Sequence, residues 1–211
     1  MIEVIANFLI SMLQFFYGLV KNYGLSIILL TTVIKLALTP SAISQFKQQR
    51  AMEKIKPLEA EIRKKFKDKP EKLNQEIMKL YKEQGFKPFG SCLMLLIQFP
   101  IWFGLFRALS TYEAFRGATF LWIKNLSLPD PYILPILVGV TTYFQFKLTT
   151  GRTPSNPDNP MSSSMAIMNY IFPFLLAYMT TQFPAGLGIY WVWFGLLTAV
   201  EQVVLRWRMK N

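Results

Sequence analysis

The 211-residue sequence has no histidine and a single cysteine, Cys92. Without them the common zinc, haem and iron–sulfur ligand sets cannot be assembled, and neither can an internal disulfide or a histidine-based catalytic triad. Acidic residues are scarce as well, 12 against 23 lysines and arginines, leaving a formal charge of +11. The N-terminus has Glu3 and no basic stretch ahead of its first apolar run, so it does not read as a removable signal peptide. Nothing left in this composition points to an enzyme, and no cofactor is expected.

What the chain has in quantity is apolar surface, 52% hydrophobic and 15% aromatic residues. A single domain of this length cannot hide that much in a core, so the expected fold class is an all-α polytopic membrane protein with its charge held in loops. Apolar segments fall at 2–20, 24–40, 89–109, 131–149, 164–183 and 187–205. Each is near the length a helix needs to cross about 30 Å of hydrocarbon. In the first, Glu3, Asn7 and Gln14 lie on one side, a pattern that favours a helix lying in the interface over a spanning one. The plan is an interfacial helix at 1–22 and five spans at 23–40, 89–109, 131–149, 164–183 and 187–205. Between them lie a basic hairpin at 41–88, an outer segment at 110–130, a loop at 150–163 and a tail at 206–211.

Residues 41–88 hold thirteen basic and seven acidic side chains, more than half of the net charge. Ile55, Leu58, Ile62 and Phe66 recur at helical spacing, as do Leu73, Ile77 and Leu80, which predicts two amphipathic helices. Between them "KDKPE" supplies a stop and a restart. Asp68 is placed to cap the second helix, Lys69 lies at the tip, Pro70 suits a first turn and Pro57 offers a bend. Basic segments stay in the cytoplasm, which sets the N-terminus outside and the C-terminus, with "RWRMK", inside. The bland reading of this hairpin is a solvated coiled coil; the functional readings are attraction to anionic lipid, to RNA or to a protein.

Within the apolar segments, "TTVIKLALTP" places Lys35 among leucines and isoleucines. A lysine at a helix centre costs roughly 2.5 to 3.5 kcal/mol by insertion scales. It is explained either by snorkelling toward headgroups past Pro40 or by a water-filled internal site. Thr31, four residues earlier, shares its face. Gln98, Gln145 and Gln182 bond between helices or line a polar cavity. The tryptophans, Trp191 included, read as interfacial anchors or packing residues.

Three segments, "GLSIILLTTVIKLALTP", "KLNQEIMKLYKEQGFKPFGSCLMLLIQFPIWFGLFRAL" and "FPAGLGIYW", resemble the YidC/Oxa/Alb family of membrane protein insertases, and the similarity runs over nearly the whole chain. The resemblance implies five spans around a hydrophilic groove open to the cytoplasm and laterally to lipid. It implies a groove cation at Lys35, with Thr31 on its face, Gln98 and Gln145 as polar lining and Trp191 at an aromatic position of the last span. Lysine stands where the family customarily has arginine, and Trp193 and Phe194 stand where many relatives have asparagines. The family's implied form here is a short one, without the large periplasmic domain of Gram-negative relatives.

The function so implied is insertion of nascent membrane proteins with short or acidic extracytoplasmic tails, by a monomer in a prokaryotic inner membrane. The lipid bilayer, the ribosome, the signal recognition particle pathway and the Sec translocon are the implied partners. Two competing readings are an ion or solute transporter using Lys35 as a binding-site charge, and a non-catalytic assembly scaffold.

Overall fold

The computed structural model describes residues 2–67, 69–84, 90–150 and 160–208. Seven α-helices follow one another among them: α1 (Ile2–Val20), α2 (Tyr23–Lys65), α3 (Pro70–Glu83), α4 (Gly90–Thr111), α5 (Ile133–Thr150), α6 (Pro160–Thr180) and α7 (Ala185–Arg208). One short 3-10 turn, Glu113–Phe115, and an isolated bridge between Phe120 and Ile123 complete the described residues. Three of the helices, α1, α2 and α7, are long and apolar enough to cross a membrane, and α5 and the described apolar part of α6 are shorter. The chain is an all-α polytopic membrane protein.

The chain divides into two compact units, one of residues 1–38 and 98–211 and the other of residues 39–97. In the first, Leu9 and Leu13 of α1, Ile27 and Leu30 of α2, Leu105 and Leu109 of α4 and Leu187 and Tyr190 of α7 form one buried core. Helix α5 packs on α6 and α7. Outward, Val4, Phe8, Phe15, Ile136, Phe144, Phe174 and Val200 are exposed, as expected of surfaces that meet lipid rather than water. On α1 that outward face also carries Glu3, Asn7 and Gln14, and the Gln14 amide donates to the Tyr112 hydroxyl at 3.0 Å.

Residues 112–132 act as a cap on helix ends, which leave backbone groups without intrahelical partners. The amides of Ala185 and Gly186, the first of α7, donate to the carbonyls of Leu128 and Leu126 at 2.9 and 3.1 Å. Asp130 Oδ1 accepts from the Tyr132 and Leu134 amides at 3.0 and 3.1 Å, closing the start of α5, while its Oδ2 accepts from the Trp122 indole at 2.8 Å. Burial by itself would push the Asp130 carboxyl up; these donors outweigh it and hold the group below the usual carboxylate range. Phe115, Ile123 and Leu126 sit in the core beneath.

Helix α2 runs through Pro40 and Pro57, both inside it; each removes one intrahelical hydrogen bond without ending the helix. One sequence expectation changes. Gln182 lies exposed in the turn between α6 and α7, its amide donating to the Thr181 hydroxyl at 3.1 Å, so it is not a lining residue of a span.

Close approach in this unit depends on small residues. A Cβ added to Gly24 would stand 2.1 Å from the Phe120 ring, whereas one added to Gly18 would meet nothing within 4 Å. Gly24→Ala is therefore expected to destabilise the protein by about 1 to 3 kcal/mol through overpacking. Gly18→Ala, in the last turn of α1 (Ile2–Val20), should be neutral or slightly stabilising, by up to about 1 kcal/mol. Thermal unfolding of both variants in one detergent tests the pair, and equal effects would contradict the packing described.

Candidate functional site

The site is built where α2, α5 and α7 present polar side chains from otherwise apolar helices. On α2, Ile27, Thr31 and Lys35 recur every four residues and so share a face. The Thr31 hydroxyl, 1% exposed, donates to the Ile27 carbonyl at 2.6 Å, which satisfies it within its own helix. On α7, Phe194, Thr198, Glu201 and Gln202 fall on one side. Thr198 donates to the Phe194 carbonyl at 2.8 Å, and Gln202 is buried with no hydrogen-bond partner for its Oε1.

Lys35 neither snorkels nor stands alone. Its Nζ lies 2.6 Å from Glu201 Oε2, with the two side chains 10% and 14% exposed. The same ammonium sits 4.9 Å from the centroid of the Phe194 ring, whose face attracts a cation. One step away, the Trp193 indole donates to the Thr32 hydroxyl at 2.8 Å. Trp193 and Phe194 thus fasten α7 to the lysine-bearing stretch of α2. Gln145 is half-buried against α7, its Oε1 3.4 Å from where a Cβ on Gly195 would lie. At the ends of the same two helices, the Arg206 guanidinium donates to the Leu148 carbonyl.

The remaining sequence candidates are distributed differently. Trp191 belongs to an aromatic cluster, its ring stacked at 6.2 Å on Trp102 and tilted at 6.2 Å against Phe183. Gln98 lies on α4, but its side chain is outside the described residues. Glu201 is the site residue not singled out in the sequence, where it lies near the end of the last helix. Its signal was the polar stripe at 198, 201 and 202 in "GLLTAVEQ", whose spacing places all three on one face.

The hairpin unit has its own polar centre. Ile55, Ile77, Leu80 and Tyr81 form its core, with Ile62 and Leu73 packed alongside. Leu58, expected inside, is 41% exposed, and Glu59 is buried in its place at 3%. The carboxylate fits there because it is satisfied: Arg63 donates to Oε1 from Nε at 3.0 Å and from its terminal nitrogen at 2.8 Å, and the Tyr81 hydroxyl donates to Oε2 at 3.2 Å. Turning the stripe by one residue lets α2 use a charged group to pin α3. Helix α3 does begin with Pro70, but its N-cap is Lys69 and bears no side-chain cap; Asp68, Gly85 and Pro88 lie outside the described residues.

The profile of the family described as 60Kd inner membrane protein matches residues 15–211. A membrane protein insertase YidC of Caldanaerobacter subterraneus subsp. tengcongensis is 40% identical over 201 residues, 95% of this chain and 93% of the relative. Another of the same name, from Citrifermentans bemidjiense, is 38% identical over 203 residues, and there the chain spans only 36% of the relative's length. A crystal structure described as an active YidC insertase with its first transmembrane domain resolved superposes with a TM-score of 0.71 at 30% identity. That match covers 94% of this chain and 45% of the other.

Two predictions follow the two polar centres. Removing one member of a buried pair strands the other, a loss of about 3 to 5 kcal/mol, whereas replacing both with apolar residues is often neutral. Lys35→Met alone should therefore lower the unfolding temperature clearly, and Lys35→Met with Glu201→Met should restore most of it. In the hairpin, burial and the Glu59 charge push the Tyr81 phenol up from 10.0 to about 12. The unfolded chain gives up this proton near pH 10 while the folded hairpin keeps it. Stability is therefore complete below pH 10 and declines as pH rises through about 12. In a tyrosinate absorbance titration, the step lost in Tyr81→Phe should be centred near pH 12; a missing step at pH 10 would contradict the buried hydrogen bond.

Proposed function

The chain belongs to the 60Kd inner membrane protein family of membrane protein insertases, multi-pass proteins of the bacterial inner membrane, and we propose that its insertase activity works through the polar centre between α2, α5 and α7. A nascent membrane segment approaches from the cytoplasm, its short polar tail passes beside Thr31, Lys35 and Gln145, and its apolar part moves out between helices into lipid. The observation that carries this reading is the Lys35–Glu201 pair, a hydrogen-bonding and charge-bearing centre held inside helices whose outer faces are apolar.

Magnitudes favour such a division of labour. One charged tail residue left in hydrocarbon costs about 2.5 to 3.5 kcal/mol, while each Leu, Ile, Phe or Val delivered there returns about 0.3 to 0.6 kcal/mol. About ten such residues more than offset one charge, so release into lipid supplies the drive and no nucleotide is needed. What the protein contributes is a lower barrier for the tail, by offering polar partners along its way. A membrane potential adds about 2.3 kcal/mol per acidic tail charge for each 100 mV when the outside is positive.

In this reading the N-terminus and the segment 110–130 lie outside, and the hairpin and C-terminus lie in the cytoplasm, where the thirteen basic residues of 41–88 obey the positive-inside tendency. The hairpin receives the substrate, using its basic outer surface together with the exposed Leu58 and Met78 toward anionic lipid or a targeting partner. Aromatic packing of Trp102, Trp191 and Phe183 holds α4 and α7 together beside the tail's path.

Photoreactive side chains placed in one helix but facing different directions test the route. With a ribosome-bound single-span nascent chain whose short polar tail is only just exposed, crosslinks should form from position 145 and not from 144. They should likewise form from 202 and not from 200, since Phe144 and Val200 are exposed outward. Crosslinks confined to 144 and 200 would instead support a scaffold that meets its clients through lipid.

A further inference from the structure

The ion pair has a consequence for which clients the protein prefers. A lone Lys35 would present a net positive charge to a passing tail, and acidic tails would be favoured. Here the cation already has a carboxylate at 2.6 Å from the same chain, and its remaining approach is occupied in part by the Phe194 face at 4.9 Å. To a tail a few ångströms away, this centre is a dipole with no net charge. A dipole's field falls off faster with distance than that of a point charge, so its discrimination between acidic and neutral tails is small.

We propose that Glu201 is a specificity-determining residue: by neutralising Lys35 it makes the site nearly indifferent to tail charge, so that the chain serves neutral and acidic tails alike. The inference rests on the reading that tails pass beside Lys35, but it concerns the ratio between tails and not whether insertion occurs. Glu201 suits the role because it is held in place independently of any client. It stands on the same face of α7 as Phe194, Thr198 and Gln202, and α7 is fastened to α2 by the Trp193–Thr32 hydrogen bond and to α5 by Arg206 on the Leu148 carbonyl. Its carboxylate therefore stays beside Lys35 whatever the tail brings. The side chain is also nearly closed off from solvent, so salt screens this neutralisation poorly.

The test uses the full chain in vesicles and a set of single-span nascent chains that differ only in having acidic, neutral or basic tails. The readout is the photocrosslinking yield from position 145, with insertion measured in parallel. Wild-type protein should crosslink the three tails within about twofold of one another. In Glu201→Gln the unmasked cation should favour the acidic over the basic tail by about tenfold or more, and Lys35→Gln should reverse that order. The swapped variant, Lys35→Glu with Glu201→Lys, keeps a neutral pair and should return to the flat wild-type profile even if the single variants fold poorly. A wild-type protein that already favours acidic tails tenfold would overturn the proposal, as would a swapped variant that does so or a Glu201→Gln profile as flat as wild type. Absence of crosslinks to every tail at 145 would overturn it together with the route. Flat crosslinking without insertion would instead leave the charge rule standing and remove the insertase reading of this site.

Discussion

Everything in the first unit depends on placing one ammonium and one carboxylate against each other inside apolar helices. Lys35 or Glu201 alone would be costly there, because each would give up hydration with no partner in return. Together, at 2.6 Å and nearly closed to solvent, they form a centre that is polar but uncharged overall. That requirement sets the position of α7 against α2 to within the length of a salt bridge. The Trp193–Thr32 hydrogen bond, the Phe194 ring over Lys35 and the contact of Gln145 with α7 at Gly195 are consistent with that single setting.

A pair of this kind is weak evidence of stability, since well-packed hydrophobic residues often serve as well or better. Its retention is better understood through what an apolar replacement would lose. On the proposed route, a client tail crossing the bilayer needs groups that can exchange hydrogen bonds with it, and leucine has none. The hairpin makes the same use of charge for a different end: Glu59, with Arg63 and Tyr81, fixes α3 against α2. There the carboxylate specifies a register between the two helices.

The helices themselves were legible in the sequence, because length and unbroken hydropathy fix a membrane helix almost by themselves. The two amphipathic faces of 41–88 were legible as well, apart from one turn of the stripe. Periodicity counts apolar residues, and it passed over Glu59 because a buried carboxylate is allowed only by partners, one of which, Tyr81, lies on the other helix. Lys35 declared itself as a cation in the wrong solvent. Its counter-ion did not, since nothing in spacing relates the first spanning helix to the last, and Glu201 next to a basic tail reads as an ordinary helix-end residue.

The aromatic residues of the last helix bear on the same constraint. Trp193 and Phe194 are both used electrostatically: one as a donor to Thr32, the other as a π-face for Lys35. Lysine is better suited than arginine to such a setting. A compact ammonium can satisfy one carboxylate and one ring face at once, whereas a planar guanidinium would seek a bidentate carboxylate and leave further donors to be satisfied. Lysine at 35, glutamate at 201 and phenylalanine at 194 thus form one mutually dependent set. A change from lysine to arginine is therefore not a neutral exchange of cations in this chain, because it would alter how much of the charge Glu201 and Phe194 can mask.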